Sequence, residues 1–373
     1  DIKMGVILGF TGPIESLTPD MGGSAEVAFK EASDSGLLLG GQKIVSVRAD
    51  STCIDNAAAT AAAERLVTAE KVAGIMGADC SGVTTAVANN VAVPNGVPMI
   101  SPSATSPALT TIADNGYFFR TAPSDARQGQ VLASITVERG ITSVAVTYVN
   151  SDYGKGLSDS FGKAFQALGG TVTISVPHET GKADYSAEVA SMDSAGGDAM
   201  AVFGYVNQGG PGIMQASLDS GSFDKFILAD GMYGDDLLTN VEGDLTGTFG
   251  TVPGTDSKGA ATYADMANAA GLKGSGPFTG ESYDAAALLI LAMQSAGSTD
   301  GAAIASNVMG VANAPGEKIM PGELAKGLRI LANGGAVDYV GATNVELTGV
   351  GEASGSYREF EIRNKAFQTV RFR

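Results

Sequence analysis

Short apolar runs alternate with helix-patterned segments in units of about 25 to 30 residues, and few folds can accommodate that repeat. The opening IKMGVILGF reads as a buried strand ending at the turn Thr11-Gly12-Pro13, followed by an apolar-periodic segment from Ser24 to Ala32. KIVSVRAD reads as a second strand, and Asn56 to Glu70 as an Ala-rich helix with Asp55 at its N-cap. VAGIMG, Val83 to Val91 and VPMIS continue the alternation. Successive strand-helix units connect parallel strands, so the expected fold is α/β, with a parallel sheet covered by helices on both faces.

The pattern restarts after Ala122-Pro123-Ser124-Asp125: Gln128 to Glu138, SVAVTYV, Gly156 to Leu168, TVTISV, Tyr185 to Ser194, AMAVFGY, Pro211 to Asp219 and KFILAD. A second doubly wound unit follows. SYDAAALLILAMQSA, Ala302 to Val308 and Pro321 to Leu331 are helical patterns without strands between them, and are expected to return and cover the first sheet. The tail from Val337 to Phe372 shows short strand patterns expected to finish the second lobe. The expected organisation is therefore an N-terminal lobe of residues 1–121 and 252–334 and a C-terminal lobe of 122–251 and 335–373, joined by three hinge segments.

Composition narrows the functions open to such a fold. The 373 residues are 44% hydrophobic and 17% charged, which excludes a disordered chain. A formal charge of −17 repels phosphate backbones and anionic lipid surfaces, arguing against nucleic-acid or membrane-surface partners. No apolar run approaches the roughly 18 to 20 residues of a membrane span. The chain begins at Asp1 with neither an initiator Met nor an apolar leader, as a processed export product would. Two cysteines and one histidine, His178, show no metal-ligand spacing, so neither metal nor cofactor is expected. Cys53 and Cys80 each follow a predicted strand and read either as a disulfide or as two buried thiols. A bridge would contribute about 3 to 4 kcal/mol in the chain-entropy model and imply an oxidising compartment.

The stretch from Gly77 to Pro107 carries the chemistry. Asp79-Cys80-Ser81-Gly82 follows one strand and opens a helical pattern, where free N–H groups can hold an anionic oxygen. Ser101 to Thr105 follows the next strand and offers hydroxyls and backbone groups. Two such turns at neighbouring strand ends suit a carboxylate-bearing small molecule. Each residue also has a plainer reading: Ser81 as a helix cap, the Ser/Thr run as a polar loop, Tyr153 and Tyr205 as packing residues, Asp230-Gly231 as a turn pair. His178 reads as a surface residue without a nearby acid or nucleophile.

IKMGVILGFTGP, the two cysteines around GADCSG, MISPSATSP, FFRTAPSDARQG, NSDYGKG, FGYVNQ and LADG occur in an order and spacing that resembles the leucine/isoleucine/valine-binding proteins. These are amino-acid receptors of bacterial ABC importers with the type I periplasmic binding fold, a hinged pair of lobes likened to a Venus flytrap. The resemblance spans essentially the whole chain. It implies that Ser81 and Thr105 bind a ligand α-carboxylate and that Ser103 and Ala104 lie in the same turn, the Ser103 carbonyl receiving the α-ammonium. It places Asp230 where the better-known members have the Glu that pairs with the ammonium, and Leu17 where they have Tyr. Tyr153 and Tyr205 match the aromatics that close over the ligand. It further implies a Cys53–Cys80 disulfide, a monomer in the periplasm, an ABC permease as partner, no membrane insertion and no catalysis.

Two rival functions follow from other weightings of the same residues. One is a receptor of this fold for an amide, a urea or an aromatic acid, which would not need Asp230. The other is a hydrolase using Ser81 or Ser282; GESYD around Ser282 lacks the final Gly of a nucleophile elbow, and the single isolated His argues against it.

Overall fold

A computed structural model describes residues 1–373. The first half of the chain runs β1 (Ile2–Leu8), α1 (Thr18–Ser35), β2 (Ile44–Asp50), α2 (Asn56–Glu64), β3 (Ile75–Gly77), α3 (Ser81–Val87), β4 (Met99–Ser101) and β5 (Phe118–Pro123). It continues α4 (Asp125–Glu138), β6 (Ser143–Val149), α5 (Asp152–Ala167), β7 (Thr171–His178), α6 (Ser186–Ala195), β8 (Ala199–Phe203), α7 (Gly210–Ser220) and β9 (Phe226–Leu228). The remainder is α8 (Asp235–Asn240), β10 (Phe249–Pro253), α9 (Lys258–Ala269), α10 (Thr279–Ala296), α11 (Gly301–Ala312) and β11 (Glu317–Ile319). Last come α12 (Leu324–Ala332), β12 (Val337–Tyr339), β13 (Glu352–Ala353), β14 (Tyr357–Arg363) and β15 (Ala366–Phe372).

Two open sheets result. The first has the order β13-β5-β4-β3-β1-β2 and is parallel throughout; the second has the order β15-β14-β10-β9-β8-β6-β7, with β14 and β15 antiparallel at one edge. In both, the strand order reverses direction beside the first strand to be laid down, β1 or β6. Loops leaving neighbouring strand ends at such a point diverge to opposite faces and open a crevice.

Local chemistry accounts for the elements. The Asp55 side chain accepts from the amides of Ala57 and Ala58 and so caps α2 as expected, while Gly36 ends α1 in the left-handed conformation. α10 is buried from Glu281 to Gln294, as its nearly unbroken apolar sequence requires; with α1, α11 and α12 it covers one face of the first sheet. The Cys53 and Cys80 thiols form a disulfide between the loops after β2 and β3.

Four readings need correction. Helix α9 was not anticipated, because its Ala-rich stretch offers few apolar positions beyond Tyr263 and Ala267, which are the ones it buries. The tail does not pass wholly to the second sheet: β12 pairs with β11, and β13 pairs with β5 in the first sheet. The last crossing therefore lies between Ala353 and Tyr357, well beyond residue 335. Ser81 does not cap α3; Cys80 holds the cap position without a side-chain bond, and Ser81 is already helical. His178 is 1% exposed and buried at the end of β7, bonded through Nδ1 to the Thr147 hydroxyl, and burial pushes its imidazole down to about 4. A polar residue flanked by Pro and Glu gave no sign that α6 and the Tyr205 loop would pack over it.

Candidate functional site

The two sheets face each other across a small cavity of about 30 Å³. Ile14, Leu17 and Met21, from the loop after β1 and the first turns of α1, form one apolar wall with Phe278. Ser81 and Ser103 come from the turns after β3 and β4. Tyr153 at the start of α5, Tyr205 after β8, and Asp230-Gly231 after β9 complete the lining from the second lobe. Six of the expected residues, Leu17, Ser81, Ser103, Tyr153, Tyr205 and Asp230, thus meet in one place.

Ala104 and Thr105 do not line that cavity. The Ala104 carbonyl accepts from the buried Arg120 guanidinium at 3.0 Å, and the Thr105 hydroxyl donates to Asp125 Oδ2 at 2.9 Å. The Ser81 hydroxyl accepts from the Ser106 amide at 3.0 Å, which ties the two turns together. The Ser103 hydroxyl donates to the Asp79 carbonyl at 3.1 Å.

On the opposite wall the Tyr153 and Tyr205 rings stack, with centroids 5.4 Å apart. Tyr153 donates to Asp230 Oδ1 at 3.3 Å and accepts from the Gly231 amide at 3.2 Å. Position 231 requires glycine, since a Cβ there would stand 2.5 Å from the Gly204 carbonyl oxygen and 2.9 Å from the Tyr153 hydroxyl. Burial raises the pKa of both phenols, so they remain neutral donors.

Two buried carboxylates, Asp79 and Asp230, line the site, and a third, Asp125, is buried outside that lining. Asp79 is saturated: it accepts from the amides of Gly9 and Cys80 and from the Ser51 hydroxyl, pinning the loops after β1, β2 and β3. Asp230 is 3% exposed, and burial pushes its carboxyl up to about 6 against the opposing Gln128 amide and Tyr153 hydroxyl. Asp125, at the start of α4, is pushed well above the carboxylate range by burial and then by repulsion from Asp230. Its Oδ1 has no hydrogen-bond partner. The one buried cation nearby, Arg120, is already engaged by Glu352 at 2.5 Å and by the carbonyls of Ala104 and Ser106. Asp125 was missed as a site residue because it sits in the apparent crossing segment; the quoted PSDARQG was its only signal.

The lobes touch around this cavity. The Ser16 amide and hydroxyl both donate to Asn207 Oδ1, the Asn207 amide donates to the Pro13 carbonyl, and Lys273 pairs with Asp235. No group of three or more His, Cys, Asp or Glu side chains is arranged to hold a metal ion. No helix is long and apolar enough to cross a membrane.

The family model for periplasmic binding proteins matches residues 1–324, and the chain belongs to that family. A Leu/Ile/Val-binding protein homolog of Brucella abortus is 30% identical over 305 residues, covering 80% of each chain. Among solved structures, the leucine-binding protein LivK of Thermotoga maritima superposes with a TM-score of 0.81 at 24% identity, covering 100% of this chain and 98% of that one. A solute-binding protein of an ABC transporter from R. palustris, in complex with 4-hydroxybenzoate, superposes at 0.78 with 19% identity, covering 100% and 96%. These superpositions establish the type I periplasmic binding fold. They leave ligand chemistry to the side chains.

Proposed function

We propose that the protein captures a small α-amino acid, aliphatic or branched-chain, between its two lobes and presents it to an ABC importer in the periplasm without chemical change. The observation that carries this reading is Asp230, a buried acid that lines the cavity beside the Tyr153 hydroxyl and forms no ion pair within the protein. An ammonium group in the cavity beside Asp230 supplies the missing countercharge. The Ser81 and Ser103 turns, with free amides at the start of α3, supply donors for the carboxylate. Leu17, Met21, Ile14 and Phe278 offer an apolar surface for the side chain. The names of the Brucella relative and of LivK agree with this ligand class.

Thr105 takes a positioning role in place of direct contact, holding Asp125 by its hydroxyl. A cavity of about 30 Å³ is too small for an amino acid, so ligand entry requires the lobes to part and re-form around it. Residues 1–121 with 252–353, and 122–251 with 357–373, are the proposed bodies of that motion, since β12 and β13 both stay with the first. Closure is then a population shift, favoured by ligand contacts that exist only when both walls are engaged.

A receptor for an aromatic acid, amide or urea is the alternative, since the R. palustris neighbour binds 4-hydroxybenzoate. Such ligands leave Asp230 unpaired. Calorimetric titration with aliphatic amino acids, their amides and 4-hydroxybenzoate separates the two: the account expects heat from amino acids, abolished by Asp230→Ala. Binding of benzoates or amides alone contradicts it.

A further inference from the structure

A second cavity, of about 130 Å³, lies between the lobes on the side of the crossing segments. Its first-lobe wall is Tyr263 of α9 with Thr279 and Glu281 in the first turn of α10; its second-lobe wall is Tyr233 and Arg358 of β14. The crossing segment from Val252 to Thr255 runs along it. Nothing in the reading of the cleft uses these residues.

Two of them are ionisable and incompletely bonded. Glu281 is only 5% exposed, and the hydrogen bond its carboxyl receives comes from its own backbone amide. Burial pushes it up to about 8, with the field of Asp284 adding to the rise and Arg358 opposing it. Arg358 donates from Nη1 to the Tyr233 hydroxyl at 3.2 Å, while its buried Nε has no acceptor. Arg358 is near enough to act on Glu281 and yet forms no ion pair with it. An acid and a base, each short of a partner, therefore face one cavity across a gap that neither side chain closes.

We propose that this hinge-side cavity is a second binding site, for a small dipolar solute whose ammonium pairs with Glu281 and whose carboxylate pairs with Arg358. Such an occupant bridges the lobes, because its two partners belong to different lobes. It therefore favours closure, and by linkage strengthens binding in the cleft. Phe278 is the physical point of contact, since its ring lines both cavities. Its backbone lies in the left-handed region at φ 58°, at some conformational cost.

The test is calorimetry at pH 8.5 with γ-aminobutyrate as probe, on the full chain carrying Asp230→Asn so that the cleft is disabled. One-to-one binding is expected to persist in that variant. It should weaken by at least about tenfold when Glu281→Gln is added, because the charge that pairs the ammonium is gone. Thr255→Leu, which fills the cavity without touching either charge, should weaken it equally, and thermal melts confirm that each variant is folded. In the unmodified chain, saturating γ-aminobutyrate should tighten L-leucine binding. No heat from γ-aminobutyrate with Asp230→Asn, or affinity unchanged by both added substitutions, overturns the site. Binding of γ-aminobutyrate alongside no response to any amino acid in the cleft supports this site and contradicts the cleft reading instead.

Discussion

Asp79 and Asp230 face the same cavity from opposite lobes, are equally buried, and are used differently. Asp79 has a donor for each oxygen from the protein itself, and its bonds hold three strand-end loops in register. Asp230 has a phenol at 3.3 Å, a neighbouring amide, and a second acid that opposes it. Burial alone therefore does not mark a binding group. In the proposed reading the count of donors each carboxylate already has does, because a saturated acid has nothing left to offer a ligand while an unsatisfied one is costly until a ligand arrives.

The contrast is sharpest under substitution. Asp230→Ala should weaken amino-acid binding by roughly 3 to 5 kcal/mol, by leaving the ammonium without its acid, while the ligand-free protein keeps its stability or gains some through relief of Asp125. Titration calorimetry and denaturant melts read the two effects separately. Asp79→Ala should reverse the pattern in the ligand-free protein, costing about 3 kcal/mol of folding free energy as the Gly9 and Cys80 amides lose their acceptor. If the two variants shift ligand-free stability alike, the distinction between the acids fails.

A related loss of similar size is expected from reduction of the Cys53–Cys80 bridge, at about 3 to 4 kcal/mol, since it closes the same set of first-lobe loops. Melts with and without a reductant measure it. Ser81→Ala is the smallest expected change, about 1 kcal/mol in stability, because the Ser106 amide loses one neutral acceptor.

Acidity separates the walls as well. Folding raises the Asp230 carboxyl from 3.8 to about 6, so the folded state holds its proton more tightly than the unfolded one. Its contribution to stability is present below pH 3.8 and is lost as pH rises through about 6. Ligand-free protein carrying Asp230→Asn should lack that part of the decline between those values, as urea titrations at successive pH would record. Ligand affinity runs the other way, falling as pH drops below about 6 and Asp230 takes up the proton that prevents ion pairing.

Much of this was legible in the sequence, and the limits have physical causes. The strand-helix alternation is a local signal, and so is a cap such as Asp55; both are written in a few adjacent residues. Ser81, Ser103 and Asp230 could be nominated because each lies at a strand end or the turn that follows it, where this architecture directs side chains into the crevice; Tyr153 and Tyr205 come from the family resemblance, their position alone reading as packing. Asp125 could not be nominated, because its burial near Asp230 is set by the packing of α4 against α5 and β10. His178 was misplaced for a similar reason: its burial is decided by α6 and the Tyr205 loop. The tail misled because β13 is only two residues long and joins the first sheet after most of that lobe is complete.

The central claim is that the buried Asp230 of the cleft meets a ligand ammonium. Calorimetric titration of L-leucine at pH 5.5, in two buffers of different ionisation enthalpy, counts the protons released as it binds. Release of a proton by the natural chain, with less released by Asp230→Asn, is the predicted result. Tight binding with no proton released by either would show that the ligand is recognised without that acid.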